Sequence, residues 1–116
     1  MPDNIFLKII RKEVPTDIVY EDAEILAFRD IRPIAPVHIL IIPKEPIESM
    51  ASVKEEDAPL IGKMFLVAKR IAEDLNISEK GYKLSIRVGK DGGQEVPHLH
   101  IHLIGGARLS ESIRPI

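Results

Sequence analysis

Hydrophobic positions along the chain follow two spacings, one typical of helices and one typical of strands. Helical spacing occurs in a short segment, Ile5–Lys12, and in a longer one that begins near Asp57. Ser52 and Glu55 have the spacing of a capping box ahead of the longer helix. One apolar face of that helix is formed by Leu60, Met64, Val67, Ala68, Ile71 and Leu75.

Strand spacing occurs in five segments, which are Asp17–Asp22, Glu24–Asp30, Val37–Ile42, Tyr82–Val88 and Val96–Ile104. An acidic turn joins the first two segments and predicts a hairpin, and a glycine-rich loop joins the last two. The chain thus contains a short helix, three strands, a long helix and two strands. This order predicts an α+β domain in which a helix buries one face of an antiparallel sheet.

Composition narrows the classes of protein to which the chain can belong. A length of 116 residues with 45% hydrophobic residues is typical of one globular domain, which we expect to span residues 1–116. The net charge of −2 argues against binding of long nucleic acid. The absence of cysteine excludes disulfides, thiol nucleophiles and cysteine-ligated metals. Because the sequence shows neither a secretory signal nor an apolar run of ~20 residues, we expect a cytoplasmic protein without a membrane partner.

Three of the four histidines lie close together, at His98, His100 and His102. Alternation in a strand would place all three on one face, with apolar residues on the other face. The preceding Gly92-Gly93-Gln94 segment can bring backbone N–H groups close to an anion. Imidazoles beside such a loop suit phosphoryl chemistry, in which one ring attacks and others hydrogen-bond phosphate oxygens.

Two other interpretations of the histidines remain open on spacing alone. The triplet could be an incidental feature of an exposed strand face. Alternating histidines can also bind zinc, with His38 as a further nitrogen ligand. Against a metal, no aspartate, glutamate or cysteine near the triplet obviously completes the ligand set.

The segment Gly89–Gly106, GKDGGQEVPHLHIHLIGG, closely resembles the signature of the histidine triad (HIT) family, in which three histidines alternate with apolar residues. The similarity extends to the Hint branch of that family through IFLKIIRKEVP, LAFRDIRPIAPVHILIIPK and the GYKL strand. These segments keep the family's order over about 100 residues. The resemblance implies a HIT-like fold: a five-stranded antiparallel sheet with a long helix on one face and a short N-terminal helix.

The resemblance also implies roles for individual residues. His100 matches the nucleophile, His102 matches a residue that hydrogen-bonds the α-phosphate, and His98 and His38 match supporting histidines. Asp30 matches the aspartate that binds the ribose. The remaining matches are the sugar contact Ile31, the phosphate loop Gly93, Gln94 and Glu95, and the base pocket Ile5, Phe6, Ile9, Val14 and Phe28.

Three features depart from the family pattern. Arg87 replaces a nucleotide-contacting asparagine, and Glu95 stands where animal members carry a serine near the leaving group. If the last two strands form a hairpin, Arg87 either pairs with Glu95 or reaches the nucleotide phosphate. The tail, Ala107–Ile116, lacks the tryptophan-bearing segment of animal members.

The function implied by the resemblance is hydrolysis of P–N bonds in purine nucleoside 5′-phosphoramidates through a covalent nucleotidyl-histidine. The resemblance implies an AMP- or GMP-like substrate, no metal or other cofactor, and a homodimer. Two alternatives remain: a nucleotide-sensing binding module with vestigial catalysis, and a dinucleoside polyphosphate hydrolase.

Overall fold

The computed structural model describes residues 3–113 and residue 115. Residues 1 and 2 of the predicted domain, and residues 114 and 116 of the predicted tail, lie outside the described part. The described chain contains two α-helices, α1 (Ile5–Ile10) and α2 (Ala58–Asp74). Its strands are β1 (Ile18–Glu21), β2 (Ile25–Arg29), β3 (Val37–Pro43), β4 (Tyr82–Ser85) and β5 (Ile101–Gly105).

The five strands form one antiparallel sheet in the order β1-β2-β3-β5-β4, so the predicted α+β fold is confirmed. Strands β1, β2 and β3 are neighbours in the sheet in the same order as in the chain, which is a β-meander. Helix α2 then crosses the sheet, and β5 enters between β3 and β4. The histidine-bearing strand is therefore central, with neighbours on both sides. No helix in the described part of the chain is long and apolar enough to span a membrane.

Alternation along the strands divides the interior into two layers. In β3, Ile39 and Ile41 belong to the cluster that packs under α2, whereas Leu40 and Ile42 belong to the cluster under α1. Helix α2 contributes Met64, Val67, Ala68, Ile71 and Ala72 to the first cluster. Helix α1 contributes Phe6 and Ile9 to the second. The face under α1 also carries the histidines, because His38 and His102 share strand parity with its residues.

The segment before α2 differs from the prediction, although the helix itself begins at Ala58, as expected. The predicted Ser52–Glu55 capping box is wrong. Ser52 ends a 3₁₀ turn that Ser49 caps, and the chain is extended at Val53 before a second 3₁₀ turn. An extended residue at that point separates Ser52 from the helix N–H groups that it would have to cap.

The last two predicted strands are shorter than the sequence indicated. Strand β4 ends at Ser85 rather than Val88, and β5 begins at Ile101 rather than Val96. The chain bends at Val96–His98, and the N–H of Leu99 donates to the carbonyl of Ile47 at 2.7 Å, away from the β4 ladder. His98 and His100 therefore precede the strand, and only His102 lies within it.

Candidate active site

A cavity of about 470 Å³ lies on the α1 side of the sheet, where β2, β3 and β5 bring polar side chains together. Its size is in the range of pockets that hold small ligands. Of the residues singled out in the sequence, its walls contain His38, His100, His102, Asp30, Ile31, Arg87, Gly93, Glu95, Ile5 and Phe6. The structure thus gathers side chains from both ends of the chain into one site.

All four histidines are buried, each with at most 7% of its surface exposed. An exposed histidine face, as in the incidental interpretation of the triplet, is therefore wrong. Helix α1 covers two of the rings, those of His98 and His100, and Phe6 meets His100 edge-on with ring centroids 5.0 Å apart. The rings of His100 and His102 lie 4.9 Å apart. Sequence spacing could not show this burial, because the covering helix is about 90 residues distant in the chain.

His100 has a defined orientation at the entrance to β5. Its Nδ1 lies 2.7 Å from the backbone carbonyl of His98. A carbonyl only accepts, so Nδ1 carries the proton and a neutral ring keeps its lone pair on Nε2. Burial lowers the pKa of His100, opposed by the bond to the His98 carbonyl, and the Arg87 charge lowers it further. The ring is therefore neutral at neutral pH, with Nε2 unprotonated, which is the state that a nucleophile requires.

His98 lies outside the cavity lining, beneath Phe6, with ring centroids 5.9 Å apart. Its side chain is fully buried, and Nε2 donates to the carbonyl of Pro43 at 2.9 Å. This bond ties the bend before β5 to the end of β3. His98 thus contributes its backbone carbonyl and its packing to the position of His100.

His38 and His102 form a hydrogen-bonded pair between adjacent strands. Nε2 of His38 lies 3.0 Å from Nδ1 of His102, and the N–H of Ile34 donates to Nδ1 of His38 at 3.2 Å. Nε2 of His102 is buried without a hydrogen-bond partner in the described part of the chain. Burial lowers the pKa of His102 to about 4, and the neighbouring His100, Arg87 and His38 lower it in the same direction.

Asp30 follows β2 and faces the same pair. Its Oδ1 accepts from the N–H of Arg32 at 2.9 Å, and its Oδ2 lies 3.5 Å from Nε2 of His38. The two residues are brought together by the β2–β3 pairing, because the N–H of Asp30 donates to the carbonyl of His38 at 2.9 Å. The carboxylate therefore lies at the cavity wall next to His38.

Asp30, His38 and His102 also offer one ligand atom each within 4.8 Å of one another. The sequence argument that no carboxylate stands near the histidines is therefore wrong. Asp30 is distant from the triplet along the chain but adjacent to His38 across the hairpin. A divalent metal is chemically conceivable with two imidazoles and one carboxylate.

The apolar residues predicted for the base pocket fall into two groups. Ile5 and Phe6 line the cavity. Ile9 and Phe28 are core residues behind Phe6, and Val14 packs against them. The sequence analysis missed four lining residues, which are Arg32, Ile34, Leu40 and Val96. Leu40 could have been predicted, because it lies on the same face of its strand as His38. Arg32 and Ile34 could not, because they lie in the irregular connector after β2, where strand alternation does not apply.

The loop at residues 89–95 closes one side of the cavity. Gly93 has φ of +82°, a conformation that favours glycine, and a Cβ on Gly92 would collide with the backbone of Val88. Gln94 lies outside the cavity lining and braces the loop. Its Oε1 accepts from the N–H of Gly89 at 3.0 Å, and its Nε2 donates to the carbonyls of Glu48 and Val96.

Arg87 and Glu95 both line the cavity, on the face opposite Leu84 and Ile86, which pack under α2. Among residues 3–113 and 115, no ion pair within 4.0 Å joins Arg87 to Glu95. The first of the two predicted arrangements for Arg87 is therefore wrong. The guanidinium stands close enough to the histidines to lower the pKa of His38 and of His100, secondary to the effect of burial.

Fold and site together define a histidine triad protein. The HIT domain matches residues 11–109, and the chain belongs to the HIT family. It is 50% identical over 107 residues to the purine nucleoside phosphoramidase of Escherichia coli, covering 92% of this chain and 90% of that protein.

Two solved structures show the same fold. A HIT family hydrolase from Legionella pneumophila superposes with a TM-score of 0.92 at 45% identity, covering 94% of this chain and 97% of the other. A HIT family hydrolase from Clostridium thermocellum superposes with a TM-score of 0.93 at 44% identity, covering 98% and 99%. The predicted family membership and HIT-like fold are confirmed.

Proposed function

We propose that the protein hydrolyses purine nucleoside 5′-phosphoramidates, with His100 as the covalent nucleophile. The observation that carries the proposal is the bond from Nδ1 of His100 to the carbonyl of His98, which leaves the Nε2 lone pair free. The lowered pKa keeps that lone pair available at neutral pH. A relative that is 50% identical over 92% of this chain is a purine nucleoside phosphoramidase.

The reaction proceeds in two displacements at phosphorus. In the first, Nε2 of His100 forms a bond to the α-phosphorus while the P–N bond to the substrate's amine breaks, and the amine leaves with a proton taken from solvent. In the second, water adds to phosphorus and gives up a proton to solvent, the P–Nε2 bond breaks, and the nucleoside monophosphate is released. The covalent step replaces one difficult displacement by two easier ones.

Charge on the phosphoryl oxygens is met by hydrogen-bond donors and one cation. His102, whose buried Nε2 has no partner in the described part of the chain, lines the cavity together with Arg87, and the Gly93–Glu95 segment closes one side of it. Such fixed donors in a site shielded from water stabilise developing negative charge. The reaction needs no metal ion or organic cofactor, because neutral imidazole N–H donors and the Arg87 guanidinium meet the phosphoryl charge.

Sugar and base contact the other end of the cavity. The carboxylate of Asp30, which lines the cavity, accepts from the ribose hydroxyls, and the exposed side chain of Ile31 lies beside the sugar. Ile5 and Phe6 of α1 pack against the purine. The apolar walls bind the base, whereas the carboxylate selects ribose.

The working unit of the proposal is a cytoplasmic homodimer. Helix α2 exposes Phe65 and Leu66, the latter with 67% of its surface accessible, and β4 is an edge strand of the sheet. An exposed apolar helix surface and an unpaired strand edge are each typical of an interface between copies. The absence of cysteine fits a reducing compartment. Analytical ultracentrifugation at micromolar concentration should give twice the mass of 13.0 kDa.

Steady-state turnover on a matched panel tests the function. The panel contains adenosine and guanosine 5′-phosphoramidates, a dinucleoside polyphosphate, and AMP as a non-hydrolysable ligand. We expect multiple turnovers on the phosphoramidates, unaffected by a chelator. Binding of AMP without turnover of any phosphoramidate would favour a nucleotide-sensing module, and faster cleavage of the dinucleotide would favour a dinucleoside polyphosphate hydrolase.

A further inference from the structure

The connector between β2 and β3 places one backbone N–H against the buried histidine pair. We propose that the N–H of Ile34 fixes the proton positions of His38 and His102, so that His102 presents an N–H to the cavity and the trio with Asp30 does not bind a metal ion. The role of Ile34 is a positioning role, because it acts through His38 rather than on the substrate.

The first step concerns His38. A backbone N–H only donates, and that of Ile34 lies 3.2 Å from Nδ1 of His38. Nδ1 must therefore be the unprotonated nitrogen of the ring. A neutral imidazole carries one proton, which then sits on Nε2.

The position of the proton on His38 in turn determines the position of the proton on His102. Nε2 of His38 is the donor across the 3.0 Å contact, so Nδ1 of His102 accepts. The single proton of a neutral His102 therefore sits on Nε2. That atom is buried without a partner in the described part of the chain, and His102 lines the cavity. An unsatisfied buried donor is costly, which indicates that a bound acceptor completes it.

Burial is the largest influence on the pKa of His38, which it lowers, while the charges nearby oppose one another: Asp30 raises that pKa and Arg87 lowers it. Oδ2 of Asp30 lies 3.5 Å from Nε2 of His38 and favours a proton on that nitrogen. Burial lowers the pKa of His38 and of His102, and Arg87 adds to this effect, so both rings are neutral at pH 7. Burial likewise lowers the pKa of the adjacent His100.

The same constraint explains why the trio is a poor metal site. Zinc bound to nitrogen at about 2.0–2.1 Å in a tetrahedron separates its ligand atoms by about 3.3 Å. The observed separations of 3.0 and 3.5 Å from Nε2 of His38 are close to that value. Spacing alone would therefore permit a metal ion. The obstacle is the proton on Nε2, because a metal needs the lone pair of that nitrogen.

For the proposed reaction, on which this part of the inference rests, the result is a donor of fixed direction. His102 directs Nε2–H at a phosphoryl oxygen, and His100 directs a bare Nε2 at phosphorus. The two neighbouring histidines thus hold opposite tautomers, each set by a backbone group.

The wild-type protein tests the inference without substrate. In protein labelled with ¹⁵N-histidine at pH 7.5, long-range ¹H–¹⁵N spectra distinguish protonated from bare ring nitrogens. We expect Nε2–H on His38 and His102, and Nδ1–H on His100. A proton on Nδ1 of His38 or of His102 would overturn the inference. Because no turnover is measured, an inactive protein with the expected tautomers would refute only the proposed function.

A substitution removes the N–H itself. Ile34→Pro deletes the donor at a position that directly follows Pro33, whereas Ile34→Ala keeps the donor and shortens a side chain that is 66% exposed. We expect Ile34→Pro to bind Co²⁺ at least tenfold more tightly than wild type, with visible absorption of a tetrahedral site, and Ile34→Ala to bind like wild type. Equal Co²⁺ affinity in a folded Ile34→Pro contradicts the inference. If that variant does not fold, the wild-type spectrum still decides.

Discussion

At the scale of single residues, His100 and His98 have different roles within one motif: His100 provides the reactive nitrogen, and His98 holds it in position. His100 keeps a free Nε2 because its other nitrogen is bonded to the carbonyl of His98. His98 is fully buried and anchored to Pro43, so it fixes that carbonyl in place. Truncating the two histidines should therefore damage different properties, chemistry for His100 and folding for His98.

Replacement of His100 should abolish turnover and leave nucleotide affinity nearly intact. His100→Ala and His100→Asn both remove the attacking nitrogen, while the ribose, base and most phosphate contacts lie elsewhere. Loss of a nucleophile is expected to lower kcat by at least ~10³-fold. Steady-state kinetics and AMP titration measure the two effects separately. Turnover of the alanine variant within tenfold of wild type would refute the assignment.

Asp30→Asn should raise KM more than it lowers kcat, and should remove the preference for ribose over 2′-deoxyribose. A carboxylate that accepts from sugar hydroxyls acts chiefly in binding, so its loss weakens ground state and transition state alike. The measurement is kcat/KM for the paired ribose and deoxyribose substrates in both proteins. Unchanged discrimination between the sugars would place Asp30 outside the sugar site.

At the scale of elements, the pattern of apolar residues sufficed to predict five strands and a helix on one face of their sheet, but not the second layer under α1. It failed between Val96 and His100, where Pro97 and the bond from Leu99 to Ile47 draw the chain out of the ladder. Pairs across elements were also beyond the sequence pattern. The contact of Asp30 with His38 depends on the β2–β3 register, and the burial of the histidines depends on where α1 packs.

The loop that carries Glu95 should determine the preference for leaving groups. Glu95 lines the cavity without an ion pair to Arg87, so its carboxylate is available to a cationic amine. Glu95→Gln should lower the ratio of kcat/KM for lysine-like leaving groups over uncharged aromatic amines, with little change in stability because an exposed charge contributes only about 0–1 kcal/mol. Arg87→Gln is the matched control, since it alters the phosphate side. An unchanged ratio in Glu95→Gln would exclude this role.

At the scale of the whole molecule, the buried histidines make stability depend on pH. The pKa of His102 is lowered from 6.5 to about 4. Between these values the unfolded chain binds the proton and the folded chain does not, so stability is greatest above pH 6.5 and falls as the pH drops toward 4. His102 alone should contribute a loss on the order of 3 kcal/mol over this interval.

Urea unfolding at several pH values measures that dependence. The free energy of unfolding of His102→Gln should fall less steeply between pH 6.5 and pH 4 than that of wild type. Parallel curves for the two proteins would show that His102 is not held neutral by the fold.

The central claim is that the nucleotide passes through a covalent bond to His100, and trapping that bond tests it most directly. The protein is mixed with an adenosine 5′-phosphoramidate for one turnover, quenched in alkali, where phosphoramidates of histidine survive, and digested for mass spectrometry. The account predicts an AMP adduct on the peptide containing His100 that appears and decays within the turnover time and is absent in His100→Asn. Full turnover by wild type without an adduct, or an adduct on another histidine, would contradict it.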